Sequence, residues 1–307
     1  MTLPKSIRLF VSVIFSLWFP ASVFAQISLN PVQDNLSIKA GIENRTTNFR
    51  WSIAGNTSGT DPNIFSELIY NPIQSAGFYA EVTYQFVNRI NIAASFNQLY
   101  TYKGAATDID YAGDNRTDYI PPAMGDTIFT SNVGNITAYD ISASYSIINK
   151  TSLKIGAGAA YHFSNEKFYL RDTEIEGLNT TYQAKWSAAR IFLNGTVAIT
   201  PQLYIKPELS FLPGSYNASA NWNKQEDFKH PVSFIHQANS HGWNLKATLG
   251  YQLNKNFGVE ADYLYADWKT NHGLDRLYLK NGETPETRMN GAFKKSSSWR
   301  LSLNYTF

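Results

Sequence analysis

The sequence predicts an all-β fold: a closed, antiparallel, up-and-down transmembrane β-barrel of about ten strands with long extracellular loops. Three observations indicate this fold. An export signal begins the chain, segments of alternating apolar and polar residues recur along it, and tight turns alternate with long polar connections. Because successive side chains of a strand point to opposite faces, a two-residue period is typical of strands that separate lipid from a polar interior.

Residues 1–25 have the pattern of a secretory signal peptide. Lys5 and Arg8 precede an apolar run over residues 9–19, and the segment "VFA" ends at Ala25, where a cleavage site is expected. We therefore expect export into the bacterial envelope and location in the cell outer membrane.

The exported part, residues 26–307, is expected to form a single domain. The chain has 26 basic and 24 acidic residues, and loss of Lys5 and Arg8 with the signal leaves 24 of each, so charge does not point to nucleic acid. Without cysteine, the fold needs a core or a closed sheet rather than disulfides. No later stretch approaches the roughly 20 apolar residues of a helical span. This composition favours an outer-membrane barrel, with a periplasmic β-sandwich as the alternative.

The order of strands and connections can be read along the chain. Clear alternation covers residues 91–100, 138–148, 152–163, 203–211, 243–253, 257–265 and 299–307. Tight turns are predicted at residues 86–90, 148–152, 199–203 and 253–257. Long polar connections lie near residues 47–62, 104–136, 172–184, 216–241 and 271–295. Four turns on the periplasmic side and five extracellular loops join ten strands.

The two faces of the strands differ in charge. Apolar residues such as Ile191, Leu193 and Leu209 share the face that we expect to contact lipid. The opposite faces carry six cations and six anions: Lys39, Glu43, Glu81, Asp140, Lys154, Arg190, Lys206, Glu208, Lys246, Glu260, Asp262 and Arg300. Because unpaired buried charges are costly, the balance predicts an ion-paired, filled interior and makes a small-solute channel the weaker hypothesis.

The chain ends in "WRLSLNYTF", in which Trp299, Leu301, Leu303, Tyr305 and Phe307 share one face. This ending resembles the C-terminal signal by which outer-membrane barrels are recognised, so the barrel-assembly machinery is an expected partner through Phe307. Outer-membrane lipid and lipopolysaccharide are the other expected partners.

Strand order, loop lengths and four local segments together resemble the omptin family, from about residue 35 to Phe307. The segments are "SELIY" at 66–70, "TDIDYAG" at 107–113, "YQLNKNFGVEADY" at 251–263 and "NYTF" at 304–307. The resemblance implies a ten-stranded outer-membrane barrel and, in members that keep the catalytic residues, endopeptidase activity.

The omptin resemblance also implies a site. In omptins, a water between an Asp–x–Asp pair on the second loop and an Asp–x–His pair on the fourth attacks the peptide bond. The first pair corresponds to Asp108 and Asp110. Two carboxylates this close raise the pKa of one of them. The histidine of the second pair is the base that takes the proton of the water. The second pair falls on Trp222 and Lys224. Tryptophan has no titratable group, and a lysine at its ordinary pKa is protonated, so neither replaces the histidine base.

Two further features of the resemblance bear on activity. The acids that hold a basic substrate residue in omptins fall on Phe49 and Ala220. The fourth loop nevertheless contains "QEDFKHPVSFIH", so a rearranged loop could bring His230, with Asp227, or His236 to the mouth.

Two hypotheses therefore stand at the sequence level. The favoured one is an omptin-like barrel without intact protease chemistry that presents its loops to an extracellular protein or peptide. Aromatic residues of these loops would form the binding surface or, alternatively, pack within the loops: Tyr216, Trp222, Phe234 and Tyr278. The second hypothesis is an omptin-type endopeptidase that uses Asp108, Asp110 and His230. No cofactor is expected, and the histidines have no metal-ligand spacing.

Overall fold

The computed structural model describes residues 36–87, 89–121 and 128–307. The predicted signal peptide at 1–25 and the first ten residues of the predicted domain lie outside these ranges. Within them the chain forms one sheet of fourteen strands. In chain order they are β1 Leu36–Ile53, β2 Ser66–Val87, β3 Ile90–Lys103, β4 Ala105–Gly113, β5 Thr117–Ile120, β6 Ile128–Thr130, β7 Gly134–Asn149, β8 Leu153–Leu170, β9 Thr180–Ala198, β10 Leu203–Asn221, β11 Phe234–Gln252, β12 Phe257–Thr270, β13 Gly273–Leu277 and β14 Glu286–Thr306.

Ten of the strands form a closed antiparallel barrel, as predicted. Each long strand pairs with its neighbours along the chain, and β1 pairs with both β2 and β14, from Ser37 opposite Thr306 onward. The short strands β4, β5, β6 and β13 extend the sheet on the loop side. In the described ranges no helix has the length and apolarity to cross a membrane.

The four tight turns lie between the predicted pairs of strands. They leave the sheet after β2, β7, β9 and β11, at the end of the barrel where the backbone N–H of Phe307 donates to the carbonyl of Leu36. Both ends of the described chain and all four turns therefore lie at one end, which is the periplasmic one.

A band of apolar side chains surrounds the barrel. Ile191 and Leu193 are each 59% exposed and Leu209 is 47% exposed, which confirms the predicted lipid face. Exposed aromatic rings border the band on the turn side, at Tyr84, Phe86, Tyr145, Tyr251, Phe257 and Phe307, and on the loop side, at Tyr100, Tyr102, Tyr139, Tyr161, Trp243 and Trp299. Two such girdles are typical of transmembrane barrels.

Within this band the interior is held by ion pairs. Ten of the twelve predicted inner charges have an oppositely charged partner within 4 Å. The Glu260 carboxylate accepts hydrogen bonds from Lys39 Nζ at 2.7 Å and from Lys206 Nζ at 2.6 Å. Arg190 forms ion pairs with both Asp140 and Glu208. The paired interior follows from the cost of leaving charges alone at this depth. It is not completely filled, because a cavity of about 330 Å³ lies among these side chains.

The strands extend further beyond the membrane than the sequence indicates. Residues 47–53 and 216–221, which polarity assigns to loops, belong to β1 and β10, and β10 remains paired with β11 up to Ala220 opposite Phe234. Their outward side chains are polar because they face water, which hides the alternation. Three of the inward side chains, Phe49, Trp51 and Tyr216, are aromatic and belong to a core that stabilises the sheet above the membrane.

This aromatic core fills the loop-side half of the barrel. Its largest fully buried members are Trp186, Trp268, Tyr70, Tyr182, Tyr216, Phe49 and Phe168. Rings meet at short distances, such as 4.5 Å between the centroids of Trp186 and Tyr216. The core forms the floor beneath the extracellular mouth.

Candidate functional site

The predicted acidic pair lies on β4, above the membrane band. β4 pairs with the outer end of β2, with Asp108 opposite Leu68 and Asp110 opposite Ser66. Leu68 is completely buried, so the two aspartates share the face that points into the mouth. Asp110 is exposed and Asp108 is partly buried. Burial, and then the nearby charge of Asp110, raise the pKa of Asp108 to about 7.

The indole of Trp222 closes the space opposite Asp108. Its Nε1 donates to Asp108 Oδ2 at 3.3 Å, and its ring packs 4.7 Å from Phe234 and 6.4 Å from Trp51. Trp222 follows the end of β10, where its backbone N–H donates to Ser233 Oγ at 2.9 Å. The residue at the first position of the expected Asp–x–His pair therefore does face Asp108, but it is an apolar ring with one donor.

His230 lies at the surface of the same loop. Its imidazole is exposed, and its Nδ1 is 2.8 Å from Asn221 Oδ1. Within the described ranges, no hydrogen bond or ion pair joins His230 to Asp108 or Asp110. The structure thus brings the two aspartates together and leaves His230 with a different partner.

The structure also contains a buried chain of polar groups that the sequence analysis does not identify. His236 is completely buried, with its Nδ1 2.8 Å from the hydroxyl of Tyr182 and its Nε2 3.1 Å from Asp275 Oδ1. The hydroxyls of Tyr182 and Tyr216 are 2.6 Å apart. Burial raises the pKa of both phenols, so both keep their protons at neutral pH and one hydroxyl donates to the other.

Aromatic rings separate this chain from the mouth. Trp51 packs edge-on against His236 with 4.7 Å between the ring centroids, and Phe234 lies at 5.2 Å. Hydrogen bonds join the imidazole to the two phenols, whereas the 3.1 Å contact between His236 Nε2 and Asp275 is not aligned as a hydrogen bond. A substrate in the mouth would meet Trp222 and Phe234 first.

Three of the four aromatic residues proposed for a binding surface pack within the barrel instead, and the fourth, Tyr278, is half-buried on the fifth loop. Tyr216 is completely buried, Phe234 is 7% exposed and Trp222 is partly buried. At the expected positions of the substrate-binding acids, Phe49 and Ala220 are also buried. The loop-packing alternative therefore describes these rings, and the exposed part of the mouth is polar.

Five loops surround the mouth, named here by their position. They are loop 1 (54–65), loop 2 (104–133), loop 3 (171–179), loop 4 (222–233) and loop 5 (271–285). Loops 1 and 2 are joined by Asn63 and Asn115: the side-chain amide of Asn63 donates to Asn115 Oδ1 at 2.9 Å, and Asn115 N–H donates to Asn63 Oδ1 at 2.8 Å. Loops 2 and 3 are joined by backbone bonds in both directions between Thr130 and Arg171, at 2.8 and 2.9 Å.

The remaining contacts complete a circle. Asn223 of loop 4 accepts a bond from the backbone N–H of Asn179 in loop 3, at 2.9 Å. Loops 4 and 5 are joined by the bond from Lys229 N–H to the Tyr278 carbonyl, at 2.8 Å.

Loop 1 is joined to the start of β14, immediately after loop 5. Arg288 Nη1 donates to the carbonyl of Ser58 at 3.0 Å, and Ala54 N–H donates to the Arg288 carbonyl at 2.9 Å. We call this circle of hydrogen bonds through all five loops the rim ring. It holds the extracellular surface in one arrangement.

In the part of the chain that the structure describes, no three His, Asp or Glu side chains cluster in a way that could hold a metal ion.

Comparisons with known proteins agree with this architecture. A family model described as "Pom: Protochlamydia outer membrane protein" matches residues 38–307. No curated protein matches the chain. Among solved structures, the outer membrane protease OmpT of Escherichia coli superposes with a TM-score of 0.73 at 12% identity, over 90% of this chain and 98% of OmpT.

A second solved structure gives a weaker match. The translocator domain of the autotransporter NalP of Neisseria meningitidis has a TM-score of 0.41 at 10% identity, over 99% of this chain and 95% of that domain. At 12% identity the similarity to OmpT is one of fold.

Proposed function

The chain belongs to the Pom family of Protochlamydia outer membrane proteins, and from this premise we propose that it binds a molecule outside the cell through its rim and does not cleave peptides. The chain is an integral outer-membrane β-barrel protein. The rim ring and the mouth support the proposal that it binds a ligand at its rim and does not cleave peptides.

The contact between Trp222 and Asp108 carries the proposal. Hydrolysis of a peptide bond by the omptin-type mechanism needs a water held between a carboxylate and a base within hydrogen-bond reach of it. Here the donor that reaches Asp108 is an indole N–H at 3.3 Å, which accepts no proton. The ring of Trp222 occupies the place from which a base would act.

The rim ring favours ligand binding at the rim over a mechanism that requires loop 4 to move. Because each loop is bonded to the next, a ligand would meet a surface that is already ordered and would lose little affinity to loop ordering. The same bonds oppose the movement of loop 4 that a histidine base would need. The aromatic core beneath, with Trp186 and Trp268 fully buried, argues against passage of solutes.

A cleavage assay tests the absence of peptidase activity. The mature chain is refolded in lipopolysaccharide and incubated with a peptide library, beside the double variant W222D/K224H, which restores the Asp–x–His pattern. We expect no cleavage by the native chain. Cleavage that disappears on Asp108→Ala or His230→Ala would overturn the proposal.

A selection experiment tests rim binding. A phage-displayed peptide library is selected against the chain in nanodiscs, with empty nanodiscs as the subtraction step. Asn63→Ala removes both side-chain bonds between Asn63 and Asn115 and so weakens the contact between loops 1 and 2. We therefore expect selected peptides to bind that variant more weakly and to bind Asp108→Ala as well as the native chain. Failure to enrich any rim-dependent peptide would contradict the proposal.

An omptin-type endopeptidase is the second candidate, and one observation favours it. A carboxyl with a pKa of about 7, as for Asp108, is suited to exchange protons at neutral pH. The reaction would need Trp222 to swing away and His230 or His236 to approach. Cleavage by the native chain that increases on Trp222→Ala would favour this candidate.

A further inference from the structure

A pocket of about 310 Å³ lies at the loop-side end of the barrel, beside the rim ring. It is formed where the outer ends of β1, β2 and β14 meet loops 1 and 2. Three arginines line it, Arg50, Arg116 and Arg288, together with His272 and Phe293. Asn63 and Arg288 of the rim ring also line this pocket, whereas Asp108 and Trp222 do not.

The positive charge of the pocket is only partly balanced. Arg116 forms a two-bond pair with Glu67, at 2.7 and 3.0 Å, and Glu67 is the one acid among the residues that line the pocket. Arg288 donates to neutral acceptors, the carbonyls of Ser58 and Gly59 and the side-chain oxygen of Asn290. Its charge therefore has no carboxylate partner within the described ranges.

Arg50 is the freest cation of the pocket. Its side chain is exposed on the outward face of β1, and its guanidinium lies 4.9 Å from the ring centroid of Phe293. In the part of the chain that the structure describes, no hydrogen bond or ion pair engages it. Two guanidinium groups, those of Arg50 and Arg288, thus face the pocket without a balancing anion.

The height of the pocket indicates where a ligand would come from. Arg50 is six residues beyond Asn44 on β1, and Asn44 is paired with Trp299 of the loop-side girdle. At roughly 3.3 Å per residue and a strand tilt near 40°, Arg50 stands about 15 Å above that girdle. The pocket therefore opens to the aqueous and glycan layer, above the hydrocarbon.

We infer that this pocket binds a phosphorylated sugar, either free or as part of a surface glycolipid. Guanidinium groups bind phosphate oxygens through paired, charge-assisted hydrogen bonds. The ring of Phe293, 37% exposed, offers a face for the C–H groups of a sugar. A volume near 310 Å³ is at the lower end of small-molecule sites and fits one such unit.

Isothermal titration with the full mature chain in nanodiscs tests the inference, with glucose 1-phosphate as the probe and glucose as the uncharged control. Arg50→Gln removes the freest cation without breaking a hydrogen bond. Arg171→Gln is the matched control, because Arg171 is also an exposed arginine of the extracellular side and does not line the pocket. We expect Arg50→Gln to weaken binding by about tenfold or more, since a charge-assisted pair is lost, and Arg171→Gln to change it by less than about twofold.

A second arm distinguishes the source of the phosphate. Lipopolysaccharide retained by the native chain and by both variants is counted by mass spectrometry after detergent extraction and washing. Retention that falls only in Arg50→Gln, without glucose 1-phosphate binding, supports a glycolipid ligand. If neither probe binds, or if both arginine variants lose binding equally, the inference is wrong. The heat-dependent gel mobility of each variant reports whether it is folded. Neither Trp222 nor Asp108 lines the pocket, so these readouts are separate from the cleavage assay.

Discussion

Replacing Asp108 by asparagine should stabilise the barrel at alkaline pH. In the unfolded chain a carboxyl of this type releases its proton near 3.8, whereas in the folded mouth burial and Asp110 raise the pKa of Asp108 to about 7. Between these values the folded state binds more protons than the unfolded state, so the free energy of unfolding falls as pH rises. The penalty is absent below pH 4 and complete above pH 7.

The magnitude follows from the same two pKa values. A difference of one pKa unit is worth about 1.4 kcal/mol, which sets an upper bound of about 4 kcal/mol for this group. Asp108 is only partly buried, and solvent screening reduces the effect to about 1–3 kcal/mol. Asparagine cannot ionise, and its side-chain oxygen can still accept the bond from Trp222.

Guanidinium unfolding in phospholipid vesicles, followed by tryptophan fluorescence at pH 4 and pH 8, measures this difference. Asp108→Asn should be more stable than the native chain at pH 8 and nearly equal to it at pH 4. Asp110→Asn is the control: its exposed carboxyl should give a smaller change. A stability difference that is the same at both pH values would refute the reasoning, as would an Asp110→Asn variant that reproduces the whole effect.

Three further outcomes are expected. Glu260→Gln removes the carboxylate shared by two lysines and should lower the free energy of unfolding by about 3–5 kcal/mol in the same assay. The control Asp267→Asn breaks a surface pair with Lys295 that spans 3.8 Å and should lower it by less than about 1 kcal/mol. Equal losses for the two variants would contradict the ion-paired interior. Leu303→Arg places a cation at mid-depth on a side chain that is 61% exposed and should cost about 2–4 kcal/mol; an unchanged midpoint would count against the lipid face. In planar bilayers the protein should give no conductance steps, and stable open-channel currents would disprove the filled upper barrel.

The membrane part of the fold could be predicted because lipid imposes a simple rule. Every second side chain of a spanning strand must be apolar. Leu209 and the neighbouring Glu208 can therefore be assigned to opposite faces from the sequence alone. The tight turns followed from the same pattern, since the alternation stops where the chain leaves the lipid. Charge balance then indicated a paired interior, and Lys39 with Glu260 realises it.

The mouth was harder to predict because water accepts polar side chains on both strand and loop. Residues 47–53 still alternate, with Phe49 and Trp51 inward and Arg50 outward, but their polarity resembles that of a loop. The contact between Trp222 and Asp108 joins residues 114 positions apart. Such a contact depends on the register of the whole barrel, which a sequence pattern does not contain.

A signal for the buried histidine was present in the sequence. Trp243 is on the lipid face of β11, so a two-residue period counted back from it places the even-numbered residues inside, including His236. Beyond the apolar band this period is hidden, because "PVSFIHQANS" has the composition of a loop. Extending the register of each spanning strand past its girdle would have identified this residue.

The circular bonding of the loops has a consequence for how the protein withstands damage. A protease that cuts one extracellular loop would not free a fragment, since both new ends stay paired with the adjoining segments and with their own strands. The nicked chain should keep its native mobility on an unheated gel and separate into two pieces only on boiling. On a cell surface exposed to proteases, the backbone could therefore be cut while the barrel keeps its fold.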